Sequence, residues 1–310
     1  MKIMFMGTPE ISATCLKRLV ADGHEICAVV TGEDKPRGRK MIMTPTDTKV
    51  CATEHGIPVY TPRTLRDDAF AELLSDIAPD MIVVVAYGKI LPENVINFPR
   101  YGCINLHVSL LPKYRGAAPM QRAIMEGEHE TGVTIMYMDV GLDTGDIIAV
   151  ERFPISAEDD FEAIHDRSAE IGSALLSRTI VDIVEGRAQR TKQDDALATY
   201  AKKVEREDAH IDFTLPADRL DCIIRGLTPI PGALAYLDGK TLKINKATPT
   251  KGHGAPGEVI ALDGVGEGSI TVACGDGALK VTRVIPEGKG KMSAGDFIRG
   301  RKIKEGDILT

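Results

Sequence analysis

The first half of the chain alternates short apolar runs with segments whose apolar residues recur at helical spacing. The runs from Lys2 to Met6, Ile26 to Val30 and Met81 to Ala86 have the length and composition of buried strands. Between the first two, an amphipathic segment ends near Ala21, and Thr8 is placed to act as its N-cap. This order predicts an α/β fold with an open, mostly parallel, Rossmann-like sheet and helices on both faces.

The pattern changes in the last third of the chain. A helix is predicted from Leu215 to Arg225, and the short segments that follow it are separated by turns, at 233–237, 241–247, 257–262, 268–274 and 277–284. Asp238-Gly239 is a strong hairpin turn, and this spacing predicts a small antiparallel β-barrel of the oligonucleotide-binding (OB) type. We therefore expect a first domain over residues 1–186, a polar linker over 187–206 and a second domain over 207–310.

The stretch from Cys103 to Gly116 carries the most informative polar residues. Cys103 to His107 predicts a short strand, in which Asn105 and His107 are two positions apart and so project from the same face. Open α/β sheets place their chemistry at the carboxyl ends of such strands. An amide there can hold an oxyanion, and an imidazole can move a proton near neutral pH. The plainer interpretation is a buried core histidine at a strand end.

Two loops have unusual charge. The connection 33–46 is far longer than is usual between such elements, and it carries four cations between positions 35 and 40: Lys35, Arg37, Arg39 and Lys40. Long loops inside compact domains are often functional, although a solvated loop is the alternative. The segment 139–146 holds two glycines and three acids, which turn formation alone can explain.

Composition narrows the functional classes. The 310 residues carry a net charge of −7, so a general nucleic-acid binder is disfavoured and any polyanion must meet local basic patches. Six cysteines without CxxC spacing indicate reduced thiols in the cytoplasm, and the seven histidines include neither HExxH nor a close pair, so we expect no metal. No run approaches ~18 apolar residues, and a strand begins at Lys2, so neither a membrane helix nor a signal peptide is expected. The opening Gly7-Thr8-Pro9-Glu10 lacks the further glycines of a dinucleotide site.

The string Asn-x-His-x-Ser-Leu-Leu-Pro-x-x-x-Gly, from Asn105 to Gly116, resembles the signature of the folate-dependent formyltransferases. Further stretches resemble the tRNA-directed members of that family. These are the Gly-Thr-Pro-Glu opening, the Pro-x-Gly-Arg core at 36–39, Tyr-Ala-x-Lys at 200–203 and Met-Ser-Ala-Gly-Asp-Phe at 292–297. Ile230 stands where the family usually has Trp between two prolines. The resemblance covers essentially the whole chain.

The resemblance implies transfer of the formyl group of 10-formyltetrahydrofolate to the amino group of methionine esterified on initiator tRNA, with tetrahydrofolate as the second product and no metal. It assigns catalysis to Asn105, His107 and Asp143, and folate packing to Ser109, Leu110, Leu111 and Pro112. It also assigns tRNA contacts to Arg37, Arg39 and Lys40 in the long loop. The tail carries a second basic cluster, which includes Lys289, Lys291 and Lys302. Beside an OB-like barrel we expect this cluster to contact the phosphate backbone, and a solvated edge is the alternative. We expect a cytoplasmic monomer that binds no membrane.

Three alternatives stay open at this point. A serine hydrolase could use Ser109, His107 and Asp143, although no Gly-x-Ser-x-Gly elbow surrounds the serine. An amino-sugar nucleotide formyltransferase would share the core and a C-terminal barrel, but the Gly-Thr-Pro-Glu opening and the basic loop disfavour it. A non-catalytic RNA-binding protein on the same scaffold would have no use for the Asn-His-Asp set.

Overall fold

A computed structural model describes residues 1–38, 41–300 and 302–310, except for the side chain of Arg37. Through residue 201 the elements are β1 (Lys2–Gly7), α1 (Glu10–Ala21), β2 (Glu25–Val30), β3 (Lys35–Arg37), β4 (Ile42–Thr44), α2 (Asp47–Glu54), β5 (Val59–Tyr60), α3 (Asp68–Ile77), β6 (Met81–Val85), α4 (Glu93–Ile96), β7 (Cys103–His107), β8 (Arg115–Gly116), α5 (Pro119–Met125), β9 (Glu130–Tyr137), β10 (Ile147–Pro154), α6 (Phe161–Val184), the 3₁₀ turn Asp195–Leu197 and β11 (Tyr200–Ala201). After them come the 3₁₀ turn Glu207–Ala209, α7 (Ala217–Leu227), β12 (Ala233–Leu237), β13 (Lys240–Thr250), β14 (Val259–Asp263), β15 (Ser269–Ala273), β16 (Ala278–Pro286), β17 (Met292–Ser293) and α8 (Ala294–Arg299).

The first sheet is the predicted mostly parallel one. Its seven strands run in the order β10-β9-β7-β6-β1-β2-β5. The pairs β1–β2, β1–β6, β2–β5 and β6–β7 are parallel, whereas β7 and β9 are antiparallel. Parallel neighbours bring their carboxyl ends to one edge, so the ends of β1, β6 and β7 meet where His107 lies.

The centre of this sheet is fully apolar because its strands are covered on both faces. Residues 3–6 of β1 have no exposed surface, and every residue of β6 is buried. Burial on both faces explains why the strand that follows Asp80 is aliphatic throughout, with no alternation of polar and apolar residues. The expected open α/β sheet is confirmed.

The first helix begins differently from the sequence prediction. It starts at Glu10 with Pro9 as its N-cap, and no side chain caps it. The Thr8 backbone N–H donates to Ser12 Oγ at 3.2 Å, and the Ser12 hydroxyl donates to the Val85 carbonyl at 2.5 Å. Thr8 does not cap the helix, and its hydroxyl donates instead to the Tyr87 carbonyl at 3.1 Å.

The long basic connection contains secondary structure. Strands β3 and β4 form an antiparallel hairpin that pairs Lys35 with Thr44 and Pro36 with Met43. The predicted tRNA contacts Arg39 and Lys40 lie outside the described residues, as does the side chain of Arg37. The sequence left the conformation of this connection undecided, and the pairing of β3 with β4 shows that part of it is regular.

The second sheet is antiparallel, as predicted. Its strands follow the order β12-β13-β16-β15-β14, with β17 on β16. Asp238 and Gly239 both have positive φ, as a tight hairpin turn between β12 and β13 requires. Closure of this sheet into a barrel stays a prediction.

The chain divides into two compact units that are not contiguous in sequence. The first comprises 1–116, 131–153 and 165–201, and the second comprises 117–130, 154–164 and 202–310. Within the second unit, Met125 of α5 belongs to the same core as Leu220 and Ile224 of α7. Arg122 donates to the Asp208 carboxylate at 2.6 and 3.2 Å, and these bonds hold the pKa of Asp208 below its usual value. The predicted boundaries at 186 and 207 stay a prediction.

No helix in the described ranges combines the length and the apolarity that crossing a bilayer requires.

Candidate active site

Strand β7 brings Asn105 and His107 to the carboxyl edge of the first sheet. Asn105 pairs with Val84 of β6 and Met136 of β9, and His107 pairs with Thr134. His107 is 6% exposed, and Asn105 is half-buried. The strand bounds are those that the sequence predicts, and its alternation directs both polar side chains to one face.

Both ring nitrogens of His107 face a polar group. Nε2 lies 2.9 Å from the carbonyl oxygen of Tyr114. A carbonyl oxygen only accepts, so Nε2 carries a proton and donates it. Nδ1 lies 3.7 Å from Oδ2 of Asp143, which is too long for a hydrogen bond but within ion-pair range. Nδ1 is therefore the atom that can accept or release a proton beside a carboxylate.

The acids of the segment 139–146 have separate tasks. Asp139 Oδ1 accepts from the Thr144 hydroxyl at 2.6 Å and from the Gly141 N–H at 3.0 Å, which organises the turn. Asp143 Oδ2 accepts from the backbone N–H of Gly116 at 2.8 Å and faces His107. The segment is thus a turn, and it also delivers one carboxylate to the histidine.

Asn105 has hydrogen-bonding capacity that the described chain does not use. Its Oδ1 is buried and finds no hydrogen-bond partner among the residues that the structure describes. An amide oxygen in this state costs free energy unless a partner arrives. A ligand that brings an N–H or O–H donor to this oxygen would satisfy it.

The segment 109–112 after the strand is held by its own polar groups. Ser109 is fully buried, and its hydroxyl donates to the Lys113 carbonyl at 2.7 Å. The Thr134 hydroxyl donates to the Ser109 carbonyl at 2.6 Å and accepts from the Leu111 N–H at 3.3 Å. Leu111 is buried, whereas Leu110 and Pro112 are partly exposed and can meet a ligand. With its hydroxyl bound to Lys113, Ser109 is a poor candidate for a hydrolytic nucleophile.

Within the described residues, no group of three or more His, Cys, Asp or Glu side chains is arranged to hold a metal ion.

Two family models match the chain. The one described as formyl transferase matches residues 1–180, and the one described as formyl transferase, C-terminal domain, matches residues 203–302. A methionyl-tRNA formyltransferase of Citrifermentans bemidjiense is 45% identical over 100% of this chain and 96% of that relative. One of Halalkalibacterium halodurans is 48% identical over 100% of this chain and 98% of that relative. The chain belongs to the methionyl-tRNA formyltransferase family.

Two solved structures share the fold of this chain, although their sequences are only 20% identical to it. An N-formyltransferase from Helicobacter canadensis, in complex with folinic acid and dTDP-3-aminofucose, superposes with a TM-score of 0.67 at 20% identity, over 91% of this chain and 98% of that one. HypX from Aquifex aeolicus, in complex with tetrahydrofolic acid, gives a TM-score of 0.66 at 20% identity, over 99% of this chain and 50% of that one.

The hairpin of this methionyl-tRNA formyltransferase family member exposes apolar as well as basic side chains. Met41, Ile42 and Met43 are 60 to 67% exposed, and Lys35 of β3 is also exposed. A cluster of exposed apolar side chains beside a cation is typical of a surface that contacts a partner. Sequence reasoning identified the cations and overlooked the apolar residues that accompany them.

The three tail lysines predicted to contact tRNA, Lys289, Lys291 and Lys302, are all exposed. In the second unit, Lys291 lines a cavity of about 150 Å³ together with Lys246 and Arg283. Arg299 of the same basic tail already binds within the chain, since it donates to the Gly264 and Gly266 carbonyls at 2.7 and 3.1 Å.

Sequence reasoning missed the backbone groups that hold the catalytic candidates. The carbonyl of Tyr114 and the N–H of Gly116 each contact one of them. Gly116 has φ +121°, and a Cβ there would approach the Ala201 carbonyl to 2.7 Å. The glycine of the family string is therefore required by backbone geometry, which the residue type alone could have suggested.

Proposed function

We propose that this chain transfers the formyl group of 10-formyltetrahydrofolate to the amino group of methionyl initiator tRNA. The observation that carries the proposal is the arrangement at the edge of the first sheet, where Nδ1 of His107 faces the Asp143 carboxylate and Asn105 lies on the same strand as His107. The identity of 40 to 48% to methionyl-tRNA formyltransferases over essentially the full chain supports the choice of acceptor.

The three side chains meet the needs of amine formylation. The donor supplies a formyl carbon that a free amine can attack directly, so the protein need not provide a nucleophile. Negative charge develops on the formyl oxygen, and the Asn105 amide N–H can donate to it; one such donor is typically worth ~3–4 kcal/mol. His107 Nδ1 can take the proton that the amine loses and deliver it to the departing nitrogen. Asp143 favours the charged imidazole that forms between these two transfers.

The folate is proposed to pack against the segment 109–112. Leu110 and Pro112 offer partly exposed apolar surface for its ring, and Leu111 is buried beneath them. Ser109 contributes through the bond of its hydroxyl to the Lys113 carbonyl, which keeps the segment turned.

The tRNA is proposed to contact both basic regions. In the hairpin the contacts are Arg37, Arg39 and Lys40, and the exposed Lys35 of β3 supports a positive surface there. In the second unit the contacts are Lys289, Lys291 and Lys302, all three of which are exposed. Local basic patches of this kind let a protein of net charge −7 bind a polyanion.

We further propose that the protein acts in the cytoplasm as a monomer. All six cysteines are free, and burial raises the pKa of the Cys15 thiol to about 12. Buried, neutral thiols suit a reducing compartment. Sedimentation of the protein at micromolar concentration gives the oligomeric state directly, and a stable dimer would refute this part of the proposal.

The decisive experiment offers one preparation of the protein two acceptors in parallel. With 10-formyltetrahydrofolate as donor, we expect charged initiator methionyl-tRNA to be formylated and a dTDP-amino sugar to be left unchanged. Uncharged initiator tRNA is the control, because it presents the same polyanion without the amine. Formylation of the sugar alone would support the amino-sugar alternative, and tRNA binding without turnover would support a binding module.

A further inference from the structure

The segment 191–201, which the sequence predicts to be part of a linker, contacts the turn that carries Asp143. Its Gln193 is 6% exposed. The side-chain Nε2 of Gln193 donates to the carbonyl oxygens of Asp143 and Gly145, each at 2.8 Å. Both amide hydrogens are thus donated to backbone carbonyls, one on each side of Thr144.

The other end of the same amide is also bonded. Gln193 Oε1 accepts from Arg115 Nε at 3.1 Å and from Arg115 Nη2 at 2.9 Å. Carbonyl oxygens only accept and a guanidinium only donates, so these partners determine the orientation of the amide. Arg115 is followed by Gly116, whose N–H donates to the Asp143 carboxylate. Gln193 therefore connects the backbone of the Asp143 turn to the strand that holds the Asp143 side chain.

The same segment also holds the second contact of His107. The Tyr114 N–H donates to the Thr199 hydroxyl at 2.8 Å, and the Arg115 N–H donates to the Thr199 carbonyl at 2.9 Å. β11 pairs with β8 in parallel directly after this point. The Tyr114 carbonyl and the Asp143 carboxylate, which face the two nitrogens of His107, are thus both tied to residues 193–199.

Both tied residues have a backbone conformation that needs support. Asp143 has φ +53° and Tyr114 has φ +61°, in the left-handed region that non-glycine residues rarely occupy. Such conformations persist only where the surrounding structure determines them, and they cluster at functional sites. Two hydrogen bonds from one buried amide to the carbonyls of the Asp143 turn are a direct means of holding it.

We propose that Gln193 is a positioning residue for formyl transfer, which fixes the Asp143 carboxylate beside Nδ1 of His107. This inference rests on the proposed function, because it concerns the efficiency of proton transfer in that reaction. The competing explanation is that Gln193 only anchors a connecting segment, in which case its loss affects stability and leaves turnover per folded molecule unchanged.

Two variants separate these explanations. Gln193→Met keeps the length of the side chain and removes both donors and the acceptor. Gln193→Glu keeps an acceptor for Arg115, so the segment stays tied to β8, but it removes both donors and places a carboxylate against two carbonyl oxygens. Gln189→Met is the matched control, since Gln189 is an exposed residue of the same type four positions earlier.

We expect kcat for formylation of methionyl-tRNA to fall by about 10-fold to 100-fold in both Gln193 variants, because misplacing a catalytic group by about 1 Å costs this much. KM for folate and for tRNA should stay within about threefold of the parental values. The pH values at which kcat rises and falls should shift. Gln189→Met should match the parent. In an Asp143→Asn background, Gln193→Glu should cause little further loss, since the carboxylate that it positions is already gone.

The inference would be overturned if Gln193→Glu had the kcat and the pH–rate profile of the parent. It would also be overturned if the double variant Asp143→Asn/Gln193→Glu lost kcat by the product of the two single losses, since the two residues would then act independently. The parent protein is measured in the same assay. If the parent fails to formylate methionyl-tRNA, the proposed function fails, and this outcome is distinct from a positioning role that fails in an active enzyme.

Discussion

At the residue scale, hydrogen bonds to backbone groups determine which side-chain atoms of the site are left to react. The Tyr114 carbonyl accepts from Nε2 of His107, so the tautomer is settled and Nδ1 is left to face Asp143. The Gly116 N–H binds the same carboxylate oxygen and so holds it in place. The orientation of His107 and Asp143 toward each other is therefore set by the Tyr114 carbonyl and the Gly116 N–H.

This geometry predicts the effect of two substitutions that keep the contacts to the backbone. Asp143→Asn keeps an acceptor for the Gly116 N–H but removes the negative charge that stabilises an imidazolium. His107→Gln keeps a donor for the Tyr114 carbonyl but cannot shuttle a proton. Each should lower kcat by about 100-fold or more, as expected for loss of a well-placed acid–base group, with folate and tRNA affinity within a few-fold.

Steady-state kinetics across pH, together with thermal unfolding, test this pair of variants. The unfolding temperature should stay near that of the parent, because the backbone contacts survive. Near-normal turnover in either variant would remove that residue from the mechanism, and an unchanged pH–rate profile in Asp143→Asn would argue against the pairing with His107.

At the element scale, the hairpin β3–β4 shows what a charge pattern can and cannot predict. The cations between 35 and 40 indicated a polyanion contact, and the length of the connection indicated more than a link. The pairing of Pro36 with Met43 was not predictable, because two three-residue strands lack the alternation that identifies a strand. Pairing restricts the conformations of the loop, so less entropy is lost when a ligand binds.

The hairpin yields a prediction about salt dependence. Arg39→Ala should weaken the use of tRNA, lower kcat as well as affinity, and reduce the slope of log affinity against log salt by about one unit, since each phosphate contact contributes about −0.7 to −0.9. Folate binding should be unaffected. Lys289→Ala, Lys291→Ala and Lys302→Ala should change the salt slope likewise, with a smaller effect on turnover.

Steady-state kinetics at several salt concentrations measure both quantities. Lys17→Ala is a suitable control, since Lys17 is an exposed lysine on α1. If Arg39→Ala and Lys17→Ala behave alike, the hairpin is a solvated connection and the tRNA contact lies elsewhere.

At the scale of the whole molecule, the sequence predicted the two kinds of sheet, whereas contacts between distant residues were not predictable from it. Apolar runs identified the parallel strands, because a strand buried on both faces needs no polar alternation. Asn105 and His107 were identifiable from their spacing on one strand. Gln193 was not, because its partners Arg115 and Asp143 lie 78 and 50 residues away in the chain. Contacts at that separation depend on the fold and leave no local pattern.

The same limit applies to α5. It lies between two strands of the first sheet in the sequence, yet Met125 is 6% exposed in a core with α7 of the second unit. A fragment ending near Gly186, which the sequence predicts to fold alone, would leave this helix without those partners. It would also lack Gln193 and Thr199, which hold the Asp143 turn and the strand after it.

Two fragments therefore test the organisation of the chain. A fragment of residues 1–201 retains the whole first unit, whereas a fragment of residues 1–186 ends before Thr191, which exchanges hydrogen bonds of 2.8 and 2.9 Å with Ile147. Both expose α5, at a cost of about 1.5–3 kcal/mol for one large apolar side chain such as Met125. We expect 1–201 to be the more stable of the two in urea, and to formylate methionyl-tRNA slowly.

The full chain is the reference, and the difference between the fragments is the informative quantity. With residues 187–201 absent, we expect 1–186 to have a lower urea midpoint and turnover at least about 10-fold below that of 1–201, because the Asp143 turn loses its support. Binding of folate by both fragments would show that the comparison concerns catalysis. Equal midpoints and equal turnover would mean that residues 187–201 only connect the two units, and full activity of either fragment on tRNA would show that the second unit is dispensable.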